Sequence, residues 1–390
     1  MRVLYLQAGN LYGGVESTLV TMARYRHLSP EMEPSFAVCF EGRLSGELKT
    51  AGVDVSVLGD VRIRQPLSVL KARRALRRLM QSERFDVVMV TSAWLQAIFG
   101  PIVKAAGLPL VYWFHEPMRG RHWLERWARM TMPELALCNS QFTASTIRNM
   151  YPTLKTKVFY NPVCQSEAPP LSNLERAAVR AELKTPEDAV VIIQLSRMVE
   201  MKGHAQHLLA LSHLKDLPGW VCWIVGAGQR PNEVRYFEEL KRTVAQLGLN
   251  HRVFLTGERA GEAQRLLASA DIYCQPNTSP DSFGNVFVEA LSLGLPVVTT
   301  NIGGAKEIVT PACGLLIAPR QPEILAESLR RLIKDETLRA QLGAAGKIRA
   351  GELCDVTRQL KQLAGILGDV CLRPNDYAAV VEARLRIDNG

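Results

Sequence analysis

Short apolar runs alternate with helix-length amphipathic stretches along the whole chain, and that alternation leaves few architectures open. A run that is apolar at nearly every position, such as AVVIIQL (189–195) or WVCWIV (220–225), must be covered on both faces. Strands of that kind belong to parallel sheets, whose crossover connections are long enough to lay helices above and below. The pattern predicts strands near 3–6, 35–40, 53–58, 86–90, 110–114, 135–138 and 157–160, then 189–195, 220–225, 253–255, 272–275, 297–300 and 315–317. Helices are expected near 15–26, 66–82, 93–106, 121–131, 141–149, 203–214, 232–247, 261–268, 286–293 and 322–334. A single core stops growing well below 390 residues, so two α/β domains are expected. The stretch from Asn161-Pro162-Val163 to Ala168-Pro169-Pro170-Leu171-Ser172 loses periodicity and reads as their connection. The expected division is 1–163, 164–350 and a helical segment 351–390 that can pack back toward the N-terminal domain.

Composition excludes several classes. No apolar run approaches the roughly 18 residues that a membrane-spanning helix needs. In MRVLYLQAGNLYGG the apolar part ends at Leu6 and glycines follow, which fits a first strand and its loop better than a signal peptide. The eight cysteines are scattered without a Cys-x-x-Cys pair, pointing to reduced thiols in a cytoplasmic protein and to no metal site. Charge is uneven: residues 1–165 hold 21 Lys+Arg against 12 Asp+Glu, whereas 166–390 hold 26 of each. The whole +9 therefore sits in the first half, which suits an anionic partner.

Three glycine-bearing loops follow strands of the second half. In SPDSFGNVFVEALSLGLPVVTT (279–300) a strand ends at Gln275, a loop follows, and a helix is expected to start near Asn285. Exposed N–H groups and the positive end of the dipole make such a start a phosphate site, with Phe283, Gly284 and Asn285 placed to offer donors. Glu289, one turn deeper, suits the paired hydroxyls of a ribose, and Asp281 those of a second sugar; either acid also simply favours the helix dipole. In QLSRMVEMKGHAQHLL (194–209), Arg197 and Lys202 put two cations past a buried strand, at the edge where open α/β sheets bind diphosphates. Gly226-Ala227-Gly228 is the third loop; as a dinucleotide fingerprint it fails, because Gln229-Arg230-Pro231 follows.

Taken in order, Arg197…Lys202-Gly203, Gly226-x-Gly228, Asp281-x7-Glu289 with Phe283-Gly284 between, Gly294-x-Pro296-Val297-Val298, and Gly303-Gly304 with Glu307 resemble the retaining GT-B glycosyltransferases of family four. The first half is similar in Gly13-Gly14-Val15-Glu16, His115 and Asn139-Ser140, so the resemblance covers roughly residues 1–345. It implies two Rossmann-like domains whose parallel sheets face a central cleft. It also implies transfer of a hexose-type sugar, with retention, from a UDP- or GDP-linked donor to an acceptor hydroxyl in surface glycan, glycolipid or polysaccharide synthesis. By the same resemblance Arg197 and Lys202 would bind the diphosphate and stabilise the departing charge, and Asp281 would contact the donor sugar. Phe283, Gly284 and Asn285 would hold diphosphate or sugar, and Glu289 the ribose. Gly13 and Gly14 would line the cleft, and His115 would lie near the transferred sugar. No metal or other cofactor is expected, since Arg197, Lys202 and helix dipoles take that part. The family usually carries Glu where this chain has Asp281, one methylene shorter.

Residues 62–84 carry eight Lys+Arg and one Glu, and 119–130 add Trp123 and Trp127 among four arginines. A basic helix with aromatics on one face can lie on an anionic membrane, or its tryptophans can point into the core. Expected partners are thus a lipid-linked or otherwise anionic acceptor and the inner face of the membrane. Nucleic acid is not expected, because the basic segments carry no zinc, helix-turn-helix or RNA-binding signature. A nucleotide-sugar epimerase on the same architecture and a non-catalytic sugar-nucleotide binder remain as alternatives.

Overall fold

The computed structural model describes residues 1–164 and 171–372, so part of the connecting stretch (165–170) and of the final segment (373–390) lie outside the described residues. The chain forms two compact units. One holds Met1–Pro162 and the helix Val356–Cys371; the other is Val163–Asp355.

In the first unit seven strands form one sheet: β1 (Arg2–Gln7), β2 (Glu33–Val38), β3 (Val55–Val57), β4 (Val87–Val90), β5 (Leu110–Phe114), β6 (Leu135–Cys138) and β7 (Thr156–Val158). Every pairing is parallel and the order is β3-β2-β1-β4-β5-β6-β7. Successive residues of a strand face opposite sides, and here both sides are buried. Leu4, Leu6, Val88, Val90, Tyr112 and Phe114 enter one core, while Val3, Tyr5, Val87, Met89, Val111 and Trp113 enter the other. That double burial is why these strands read as unbroken apolar runs.

The second unit repeats the plan with β8 (Val190–Leu195), β9 (Trp220–Val225), β10 (Val253–Gly257), β11 (Ile272–Gln275), β12 (Val297–Thr300) and β13 (Gly314–Ile317), ordered β10-β9-β8-β11-β12-β13 and again parallel. The order turns back between β1 and β4 in one sheet and between β8 and β11 in the other. At such a switch point the loops leaving the strands diverge and open a crevice at their carboxyl ends.

Four helices were not legible in the sequence, one of them the single turn Ala305–Ile308. Arg43–Thr50 buries only Leu44, Ser45 and Leu48. Asn173–Glu182 follows directly on the connecting stretch, and its start is a capping box in which Ser172 and Glu175 bond each other's backbone N–H. Glu336–Cys354 packs through glycines: a Cβ on Gly343 would lie 2.1 Å from the Gly294 carbonyl oxygen, and one on Gly346 2.8 Å from Leu291 Cδ2. The return to the first unit falls at Asp355, after this helix, and not at 351. Beyond it Leu360, Leu363 and Leu367 are fully buried in the core that also holds Val3, Tyr5 and Trp113. At about 1.5–3 kcal/mol for each buried leucine, they anchor this helix to the first unit.

The helix Ala93–Ala105 contains Pro101, which has no N–H for the carbonyl of Ala97. Arg73, from the helix Pro66–Ser82, reaches across with Nε 2.7 Å from the Ile98 carbonyl oxygen and Nη2 3.5 Å from that of Ala97. Replacing Arg73 by Ala is expected to lower the unfolding free energy by about 1–3 kcal/mol, measured by urea denaturation. Adding Pro101→Ala should return part of the loss.

Candidate functional site

The second unit's switch point gathers the residues singled out there. β8 runs into Ser196-Arg197 and a three-residue turn, Glu200–Lys202; β11 runs into the loop that carries Asp281 and ends at the helix Asn285–Ser292. Gly203, expected inside the helix, instead caps it with φ 75°, and the helix begins at His204. The loops meet backbone to backbone. A Cβ on Gly203 would lie 1.8 Å from the Pro276 carbonyl oxygen, one on Gly226 2.0 Å from that of Ser196, and one on Gly303 2.4 Å from that of Asp281. Gly304 donates its N–H to that same Asp281 carbonyl at 2.9 Å. Thr278 donates its N–H to the Met201 carbonyl at 2.9 Å.

This packing brings charges together. Lys202 Nζ lies 2.5 Å from Asp281 Oδ2, and both side chains are mostly buried. Burial pushes the Asp281 carboxyl up, but the Lys202 charge and hydrogen bond, the Ser282 N–H at 2.9 Å and the charge of Arg197 outweigh it, leaving it below its ordinary value. Arg197 is exposed, with Nη1 3.8 Å from Glu233 Oε1. Glu233 went unnoticed in the sequence; it is 3% exposed and accepts the Gln229 N–H at 2.7 Å. Its signal was there, an acid in the first turn of the helix Pro231–Gln246 just after Gly228.

Gly284 caps the helix Asn285–Ser292 at φ 101°, a left-handed conformation, and a Cβ there would strike the Phe287 ring at 2.6 Å. Phe283 is buried and Asn285 opens the first turn. One turn on, burial raises the Glu289 carboxyl to about 7. The Tyr273 hydroxyl, raised first by burial, is raised further by the charges of both Glu289 and Asp281. Arg197 and Lys202 thus act on Asp281, and Asp281 and Glu289 both act on Tyr273.

Gly13, Gly14 and His115 belong to the first unit. Gly13 caps the helix Gly14–Arg24 after β1 in an extended conformation, its N–H donated to Glu16 Oε2 at 2.9 Å. His115 follows β5, two strands away at the same carboxyl edge. It is 6% exposed, packs on Trp113 with ring centroids 4.4 Å apart, and neither ring nitrogen has a partner among the described residues. Burial lowers its pKa to about 3, so the ring is neutral. Asn139 Oδ1 accepts from Thr143 and Ser140 caps the helix Gln141–Thr146.

Two family models match the chain: the glycosyl transferases group 1 model over residues 175–349 and the Glycosyltransferase Family 4 model over residues 12–166. The chain belongs to the family-four GT-B glycosyltransferases. The crystal structure of Anabaena HepE in complex with UDP-glucose is similar with a TM-score of 0.82 and 25% identity, over 95% of this chain and 100% of that one. The lipopolysaccharide core biosynthesis glycosyltransferase LpsD of Rhizobium meliloti (strain 1021) is 29% identical over 217 residues, 55% of this chain and 58% of LpsD. The GDP-mannose-dependent monoacylated alpha-(1-6)-phosphatidylinositol monomannoside mannosyltransferase of Corynebacterium glutamicum is 31% identical over 185 residues, 46% of this chain and 47% of that protein. The chain thus spans about half the length of these curated relatives. Among the described residues of this family member no cluster of His, Cys, Asp and Glu could hold a metal ion, and no helix is long and apolar enough to cross a membrane.

The raised Glu289 has a pH signature. Between its unfolded value near 4.5 and its folded value of about 7 the native protein holds a proton that the unfolded chain has lost, so stability falls as pH rises through that window. Relative to wild type, Glu289→Gln should be more stable at pH 8, by on the order of 1–3 kcal/mol, and so melt at a higher temperature, and the advantage should vanish below pH 4.5. Thermal melts across pH 4–8.5 read this directly.

Proposed function

We propose that the chain is a retaining, metal-independent glycosyltransferase that moves a hexose from a UDP- or GDP-linked donor to an acceptor hydroxyl in the synthesis of a surface glycan, glycolipid or polysaccharide. The observation that carries this reading is the pairing of Lys202 with Asp281, under the charge of Arg197, at the β8/β11 switch point, on the loop that leads into the helix bearing Glu289. Two cations there suit the diphosphate. Glu289, one turn into the helix, suits the ribose hydroxyls, and Asp281 the donor sugar. Backbone donors at Phe283, Gly284 and Asn285 add a positive helix end.

As the bond from the anomeric carbon to the phosphate oxygen breaks, negative charge grows on the diphosphate and positive charge on the sugar. Lys202 and Arg197 stabilise the first from backbone positions that the packed loops already hold. The acceptor oxygen bonds the anomeric carbon on the face the phosphate leaves, and its proton passes to the departing phosphate oxygen. Asp281 already engages the Lys202 ammonium at 2.5 Å, so a diphosphate competes with it for that cation. His115, neutral, is suited to accept or donate one hydrogen bond beside the transferred sugar.

Lys202→Ala and Arg197→Ala are each expected to lower kcat by about 10²–10³-fold with a panel of UDP- and GDP-sugars. Turnover should survive EDTA, and NMR of the first product should show the donor's anomeric configuration. Wild-type rates in both alanine variants would refute the diphosphate assignment.

Cytoplasmic placement at an anionic membrane face belongs to the same reading. Leu67 and Leu70 stand exposed beside Lys71, Arg74 and Arg78 on the helix Pro66–Ser82. The tryptophans divide: Trp127 packs on the core, whereas Trp123 is 56% exposed among Arg119, Arg121 and Arg126. Flotation with phosphatidylglycerol vesicles but not with phosphatidylcholine vesicles is the expected result, reduced by Trp123→Ala.

A further inference from the structure

Beneath the turn that presents Lys202 lies a buried pair that the chemistry above leaves unused. Gln194, fully buried near the end of β8, donates from Nε2 to the Lys202 carbonyl at 2.9 Å. Its Oε1 lies 2.8 Å from Nδ1 of His207, which is fully buried on the helix His204–Ser212. The partners fix every proton in this chain. A peptide carbonyl can only accept, so the amide NH2 faces Lys202 and the amide oxygen faces His207. Nδ1 of His207 must then carry the hydrogen, and the ring, its pKa lowered by burial to about 3, stays neutral. The Lys202 carbonyl allows the glutamine one orientation only, and the tautomer of His207 follows from it.

The Glu200–Lys202 turn needs such a hold. It is three residues long, without the repeated ladder that stiffens a full helix. Its outer side is tied to the β11 loop by Thr278, through its N–H to the Met201 carbonyl and its hydroxyl to the Glu200 carbonyl at 3.2 Å. Gln194 fastens the peptide group of Lys202 itself to the sheet. Without it the long Lys202 stem could still follow Asp281, yet from a displaced backbone. Misplacement by about 1 Å can cost on the order of 10²-fold in rate.

We propose that Gln194 and His207 are positioning residues for the leaving-group cation: the relay from His207 Nδ1–H through the Gln194 amide to the Lys202 carbonyl sets where the Lys202 ammonium meets the diphosphate. This rests on the assignment of Lys202 as that cation. The test compares Gln194→Met, His207→Leu, His207→Asn and Lys202→Ala in the full chain, with donor kinetics and melting temperature measured on each. Gln194→Met and His207→Leu should lose up to about 100-fold in kcat with a smaller change in donor KM. His207→Asn keeps an N–H near the place of Nδ1 and should recover most of that loss, although its melting temperature is no higher than that of His207→Leu. If Gln194→Met does not fold, the two His207 variants carry the comparison. Loss of rate only in step with loss of folded protein, with His207→Asn no better than His207→Leu, overturns the proposal. Wild-type kinetics in Gln194→Met and His207→Leu beside a crippled Lys202→Ala overturn it while leaving the role of Lys202 standing. Full turnover in Lys202→Ala removes the assignment on which it rests.

Discussion

A contact between two backbones underlies the second unit's site. Gly203 approaches the Pro276 carbonyl so closely that no side chain fits between them, and the same contact requires a left-handed φ. Loops from two neighbouring strands are thereby held at one height. The ion pair of Lys202 with Asp281 follows from this arrangement, because the two side chains start from peptide groups already fixed by Gly203, Thr278, Gly303 and Gly304. An ion pair between loose loops would spend much of its Coulomb energy on ordering them. Here the ordering is done by glycine packing and backbone hydrogen bonds, and the charges are left available to an anion.

Strands at both switch points end in a buried glutamine. Gln7 closes β1 and accepts from Thr91 at 2.6 Å, Gln194 stands near the end of β8, and Gln275 closes β11 and donates to Asn277 at 2.9 Å. A carboxamide is long enough to leave the sheet and carries both donor and acceptor, so it can link a rigid strand to an irregular loop without placing a charge in the core. The buried polar layer therefore sits where regular structure hands over to the loops that carry chemistry.

The sequence disclosed what depends on periodicity and little of what depends on close packing. All thirteen strands were legible, the central ones because burial on both faces leaves a run of apolar residues little room for polar ones; the edge strands Val55–Val57 and Thr156–Val158 are only partly covered. Glu336–Cys354 was not, because half of the residues it buries, Gly343, Gly346 and Ala350, are small and give little hydropathic signal between Leu342 and Leu353. Asn173–Glu182 was hidden by the neighbouring prolines although its Ser172-x-x-Glu175 start was readable. Within the site, the charged residues stood out by type and spacing. Glu233, Gln194 and His207 did not, since each acts through a neighbour and not through a motif. The glutamine had one signal: it is the polar interruption in VVIIQL.

The last described helix carries a consequence for how the protein is made. Leu360, Leu363 and Leu367 fill a core whose other walls come from the strands and helices between Val3 and Phe159, including Tyr5, Phe36 and Trp113. During synthesis those early residues leave the ribosome long before the leucines do. The first unit must therefore wait with one apolar face uncovered while the entire second unit is translated. Chaperones that shield such surfaces have their natural opportunity in that interval, and a nascent chain stopped before residue 356 would be left with a greasy flank and a tendency to aggregate.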